Sequence, residues 1–148
     1  MDVLKLLKDD HDEVKSVFKK IEQAQDAEAN RLWERLRSML TVHEELEETL
    51  FYPRLKQEKT TEDLILESYQ EHHVMDVLIG EISQFEPSDE QWHPKVKVLQ
   101  ENTEHHIEEE EGSLFPKVRK IWDTARREEI GRDMAQMKNE RRKEQKAA

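Results

Sequence analysis

A chain of 148 residues has room for one domain and little more. Charged side chains make up 40% and hydrophobic ones 34%, so a core can form only where apolar residues gather on narrow stripes, and with no Cys there are no disulfides, thiolate metal sites or cysteine nucleophiles. The net charge of −11 argues against non-specific nucleic-acid binding, which needs a basic surface, and no apolar run is long enough to span a membrane.

The first segment places Leu4, Leu7, His11, Val14, Phe18 and Ile21 on one stripe, a 3-4 alternation that predicts an amphipathic helix. Its opening residues, Met1 to Lys8, lack the apolar stretch and small-residue cleavage site of a signal peptide, so a cytoplasmic location is expected. After a link near Asp26 to Asn30, a second stripe runs through Leu32, Leu36, Met39, His43, Leu46 or Glu47, and Leu50. A third follows a link at Glu58 to Glu62 and takes in Ile65, Ser68, His72, Met75, Ile79 and Ile82. Thr60, with Asp63 three residues later, forms a variant capping box at its start. The fourth follows Phe85 to His93 and runs through Val96, Leu99, Thr103, His106 and Glu110, then Leu114, Val118 and Ile121. Pro94 suits the first position of this helix; the alternative is a start near Ser88 with a distortion at Pro94. Pro53 and Pro116 predict kinks or ends.

Three Gly and four Pro leave too few turn residues for an all-β fold. Four amphipathic helices with short links predict an all-α, up-down-up-down four-helix bundle over residues 1–125. Residues 126–148 carry 8 basic and 5 acidic side chains, and their apolar stripe ends with Ile130, Met134 and Met137. They predict a charged helical tail that frays, and whose removal from residue 128 onward should leave the bundle's chemistry intact.

The sequence repeats itself. His43 to Pro53 matches His106 to Pro116: each has His ten residues before Pro, carboxylates at +4 and +5, and an aromatic residue just before the Pro. Asp10-His11 matches Glu71-His72 in the same way. The chain therefore divides into two helical hairpins in tandem, each with a His on its first helix and a His-x-x-x-Glu pair on its second.

His and Glu four residues apart share a helix face. His11, His43, His72 and His106 occupy core positions, as do Glu47 and Glu110. Packing alone explains any one buried His. A buried carboxylate without a partner is very costly, and no Lys or Arg lies on the neighbouring core positions, so the set calls for a cation. Imidazole and carboxylate together suit iron, manganese or zinc. Six ligands exceed one tetrahedral zinc and match two octahedral ions bridged by both Glu, with positions left open. Helix phase favours His72 over His73 and His106 over His105; the neighbours read as flanking residues or donors to the ligands. His93 is left out. Glu44, Glu48 and Glu111 read as mostly solvated, and Tyr69 as a packing residue, with a metal-facing position as the alternative.

The pattern His11 … His43-x-x-x-Glu47 … His72 … His106-x-x-x-Glu110 resembles the hemerythrin-like family, the HHE cation-binding domain, over residues 2 to 122. The resemblance implies a hemerythrin-like bundle around a non-haem di-iron centre bridged by Glu47 and Glu110. The chain departs from the oxygen-carrying hemerythrins. Those have a second His one turn after the third-helix ligand, where this chain has Asp76; they also pair the fourth-helix His with an Asp at +5, where this chain has Glu110 at +4 and Glu111 at +5. A carboxylate donor stabilises the ferric state, which counts against reversible O2 carriage. Asp76 stands as a ligand, as a partner of a metal-bound water, or as a residue outside the site.

Three functions follow. The first is a protein with two iron ions, manganese or zinc being alternatives, that binds, reacts with or senses O2, peroxide or nitric oxide; it is a binding protein more than an enzyme, with at most a weak oxidase or peroxidase-like activity. The second is an iron-binding storage or sensing module without turnover. The third, a helical interaction protein, is weakest, because the tail has too few apolar positions for a heptad seam. The expected partners are small molecules, not nucleic acid or membrane. No redox partner is legible, and a monomer or weak homo-oligomer is expected.

Overall fold

Residues 1–147 are described by a computed structural model, in which the described residues form helices and short links without a strand. The helices are α1 (Val3–Gln23), α2 (Asp26–Leu46), α3 (Tyr52–Leu55), α4 (Glu62–Ile82), α5 (Trp92–Glu109), α6 (Phe115–Ile121) and α7 (Thr124–Ala147). α1 packs on α2 and α4 on α5, the two hairpins meet through α1 and α5, and the expected four-helix bundle results.

Local chemistry sets the ends. The Asp2 carboxylate caps α1 by accepting from the Leu4 N–H at 2.8 Å. The first link is only Ala24-Gln25; Asp26, expected to lie in it, already opens α2 with a left-handed φ of 50°, which Asp tolerates better than most residues. The capping box expected at Thr60 does not form. Thr61 precedes α4, and its hydroxyl donates back to the Leu55 carbonyl at 2.6 Å, closing the preceding loop. Pro94 is the third residue of α5, not its first, still within the turn whose N–H groups have no intrahelical acceptor.

Pro53 and Pro116 mark the same distortion in both halves. Five residues, Glu47–Phe51 after α2 and Glu110–Leu114 after α5, form a π-helical turn. The Tyr52 N–H donates to the Glu47 carbonyl and the Phe115 N–H to the Glu110 carbonyl, five residues back in place of four. Each Pro follows one residue later, where its missing N–H and its ring end the regular ladder.

The core is split. Leu7, Leu46, Phe51, Leu55 and Val118 belong to one apolar cluster. Phe18, Leu36, Trp33, Trp92 and Leu99 belong to another, with the two indoles edge to face at 6.3 Å. Between them lies a buried polar layer that includes His11, His43, Glu47, His72, His106 and Glu110.

The tail departs from expectation. α7 is helical to Ala147 and packs along α1 and α2, burying Ile130, Gly131 and Met134. Gly131 lies so close to the Met1 carbonyl and the Val3 nitrogen that a Cβ would have no space. Arg127 donates to Asp2 at 2.7 Å and Arg141 to Glu45 at 2.9 Å. Three small contact points and a few ion pairs dock this helix without a long apolar stripe, which is why periodicity reads it as fraying.

Candidate metal centre

The six residues singled out by spacing converge in the polar layer. His11, His43, Glu47 and Glu110 each place one donor atom within 4.8 Å of the others, as do Glu47, His72 and His106. Each carboxylate reaches a His of its own half and one of the other half. Glu47 Oε1 lies 3.1 Å from His43 Nε2 and 3.2 Å from His72 Nε2. Glu110 lies 3.0 Å from His106 Nε2 through Oε2 and 3.3 Å from His11 Nε2 through Oε1. The π turns begin at these two glutamates, each of which still follows its His by one regular helical turn and stands at the matching place in its half.

The outward nitrogens obey a second rule that follows the repeat. Asp10 and Glu71, each just before the first His of its half, partner the Nδ1 of the second: Asp10 with His43 at 3.1 Å, Glu71 with His106 at 2.6 Å. Glu48 and Glu111, each just after a central glutamate, cross to the other half: Glu48 with His72 at 2.7 Å, Glu111 with His11 at 2.6 Å. A carboxylate on Nδ1 fixes the ring and turns Nε2 inward, the arrangement that supports metal-binding imidazoles. Sequence reasoning missed these four carboxylates and read Glu48 and Glu111 as solvated. The doubled Glu-Glu and the acid-His pairs were the available signal.

Several neighbours fall outside. Asp76 is exposed, outside the cluster of candidate ligands, and neighbours Glu44, which is buried and not solvated as expected. Burial, with the Asp76 carboxyl nearby, pushes Glu44 up to about 9. His73 is exposed, and His93 Nε2 donates to the Ala24 carbonyl at 3.1 Å. Tyr69 packs edge to face against Tyr52, 5.4 Å between rings. Tyr52 is the aromatic residue at the centre: its hydroxyl donates to Glu110 Oε2 at 2.5 Å and lies 3.3 and 3.2 Å from Nε2 of His72 and His106.

The electrostatics are those of a layer built for positive charge. Burial disfavours protonated His43, but Glu47 and Asp10 outweigh it and push the imidazole up to about 10. His72 is likewise pushed up to about 9 against burial by Glu47 and Glu48. Burial opposes ionisation of Glu47, yet the surrounding imidazoles hold it well below the usual carboxylate range. Even so, His11 Nε2, His43 Nε2, both Glu47 oxygens and Glu110 Oε1 are buried and too poorly aligned to form hydrogen bonds. Orphaned inward-facing nitrogen and carboxylate donors in one layer fit metal ions, with oxygen and nitrogen ligands and no thiolate.

Comparison with known proteins agrees with this geometry. A crystal structure of a hemerythrin HHE cation binding domain-containing protein from Mycobacterium kansasii superposes with a TM-score of 0.87 at 24% identity, covering 97% of this chain and 89% of that one, and so shares the fold. A DNA nickase from Nostoc sp. (strain PCC 7120 / SAG 25.82 / UTEX 2576) is 28% identical over 123 residues, 80% of this chain but only 34% of that protein, so the chain spans about a third of its relative's length. Residues 2–118 match the hemerythrin HHE cation binding domain, and the chain belongs to that family.

Proposed function

We propose that His11, His43, Glu47, His72, His106 and Glu110 hold two metal ions, iron in the first place, and that the protein binds, reacts with or senses O2, peroxide or nitric oxide there. The observation that carries this reading is the set of buried, orphaned donor atoms on two carboxylates that each touch imidazoles of both halves. A bound pair of redox-active ions would supply a place for a small oxidant or diatomic to bind and a source or sink of electrons.

The chain's own residues supply the rest. Asp10, Glu48, Glu71 and Glu111 orient the four rings through Nδ1. The Tyr52 hydroxyl, buried among His72, His106 and Glu110, holds a proton beside the layer. Beside the imidazoles lies a void of about 10 Å³ with Val14, Leu40, Met75 and Ile107 in its wall. Its size and apolar wall suit a water-sized or diatomic guest. Val14 and His43 also border an open cavity of about 490 Å³ between α1, α2 and α7, which supports a route inward beneath the tail helix. The nicking named for the cyanobacterial relative is not part of this proposal, because the match covers 34% of that protein and this chain's charge is −11.

The test is metal analysis with an optical spectrum of freshly isolated protein, before and after air exposure. Two irons per chain and an oxo-bridge band are expected, and changes under O2, peroxide or nitric oxide identify the reactive small molecule. Iron that binds without any such change would instead favour storage. Glu47→Gln and Glu110→Gln remove a central charge at nearly constant volume, so each should lower the metal count while leaving the metal-free protein helical by circular dichroism. Full metal content in both variants would refute the ligand assignment.

A further inference from the structure

The two halves differ on their outer faces, and the difference is chemical. In the first half Asp10, the carboxylate behind His43, is neutralised from outside by Lys138 of α7, whose Nζ contacts Asp10 Oδ1. In the second half Glu71, the carboxylate behind His106, has no such helix over it. Among the described residues no Lys or Arg forms an ion pair with Glu71, and its nearest outward neighbours are His105 and Glu109. The repeat makes this contrast positional: the first-half counterparts of His105 and Glu109 are Val42 and Leu46, both buried and apolar.

His105 and Glu109 form a second His-x-x-x-Glu pair, one residue before His106 and Glu110 and rotated by about 100° on the helix. That rotation turns the pair out of the bundle and against α4. His105 Nε2 lies 3.9 Å from Glu71 Oε2 and 3.7 Å from Glu109 Oε2, and one donor from each of the three residues falls within 4.8 Å of the others. Tetrahedral metal–ligand bonds of about 2.1 Å put donors about 3.4 Å apart, so small side-chain movements complete the geometry. Glu71 is already held, since its Oε1 accepts from His106 Nδ1 at 2.6 Å, and His105, 66% exposed, is free to turn.

We propose that Glu71, His105 and Glu109 form a third cation site, on the surface between α4 and α5, that takes a divalent transition ion of the zinc class with water completing its coordination. One imidazole and two carboxylates are a nitrogen–oxygen donor set of that class, and the cation plays outside His106 the part that Lys138 plays outside His43. Glu71 is shared: one oxygen faces this site and the other holds the ring of His106. A cation on the outer oxygen holds the carboxylate in place, as Lys138 holds Asp10, so occupancy firms the support of His106. This coupling rests on the central ligand assignment; the site itself does not.

Cobalt(II) titration of the full chain, with the bound ion counted by equilibrium dialysis, tests it. The wild-type chain should bind one rapidly exchanging, chelator-accessible ion beyond those of the buried layer. His105→Ala, an exposed change that leaves packing alone, should weaken that ion by about tenfold or more. Glu110→Gln should retain it even if the buried ions are lost, which separates the failure of this site from failure of the central one. An unchanged cobalt isotherm in His105→Ala overturns the proposal. In iron-loaded protein, added zinc should shift the optical spectrum of the wild-type chain and not that of His105→Ala; zinc binding without that shift overturns the coupling.

Discussion

Tyr52 shows how much one hydroxyl distinguishes the halves. Its repeat partner is Phe115, whose ring stacks on His11 at 6.2 Å and offers no polar atom. Burial, reinforced by Glu110 and Glu47, pushes the Tyr52 phenol well above its ordinary value, so in the metal-free protein it stays protonated and donates to Glu110. The residue is five positions after Glu47, off the face that a 3.6-residue period assigns to the core, and only the π turn brings it back. Spacing offered Tyr69, at a regular interval before His72, only as an alternative metal-facing residue; it packs on the Tyr52 ring, in line with its reading as a packing residue. The four imidazoles and two glutamates were legible because each lies on an unbroken helical stripe. Tyr52→Phe leaves Glu110 Oε2 without its short hydrogen bond. Metal-free stability should fall by about 1–3 kcal/mol in urea unfolding, the cost of a lost bond to a buried charged group. The loaded protein should keep two ions while its optical spectrum and its rate of peroxide loss change. An identical spectrum would mean that the hydroxyl does not touch the centre's chemistry.

At the scale of elements, the four long helices could be read from their stripes and α7 as a charged helix, whereas the docking of α7 could not. Its docking depends on Gly131, where the absence of a side chain makes the contact, and on ion pairs with residues more than 90 positions away in sequence. A hydrophobic pattern records neither. The consequence reaches the centre through a single chain of contacts. Lys138 meets Asp10, Asp10 Oδ2 meets His43 Nδ1 at 3.1 Å, and His43 Nε2 meets Glu47 at 3.1 Å. The tail is thus tied by contact to one of the four imidazoles. Lys138→Met keeps the apolar stem and removes the charge. Losing a partner of a metal-binding His typically costs 10–100-fold in affinity; Lys138 acts one step further out, so a loss of about 3–10-fold in ferrous affinity is expected. Competition with a chromophoric chelator measures it, and Lys143→Met on the exposed face of the same helix serves as the control. Equal affinity in both variants would show that α7 is bystander packing.

For the molecule as a whole, a polar layer divides what would otherwise be one continuous core, and its charge state sets how the fold responds to pH. His43 and His72 are pushed up to about 10 and about 9 from an ordinary 6.5. A group that binds its proton more tightly when folded stabilises the fold fully below the unfolded value, and that contribution disappears as pH rises through the folded one. Glu44, pushed up to about 9, acts in the same direction, because above its ordinary 4.5 the unfolded chain loses the proton more readily than the folded one. The two imidazoles predict that the metal-free protein loses stability between about pH 6.5 and 10, and Glu44 adds to the loss between about pH 4.5 and 9. Bound cations replace the inward protons of the imidazoles, so the loaded protein should not follow the same slope. Ligand at 100 times its dissociation constant also adds about 2.7 kcal/mol. Melting temperatures of metal-free and iron-loaded protein should therefore diverge as pH rises, with the metal-free curve falling steadily from near neutrality. Parallel curves across that range would mean that protons and cations do not compete for the same inward nitrogens, and the buried layer would then need another source of positive charge.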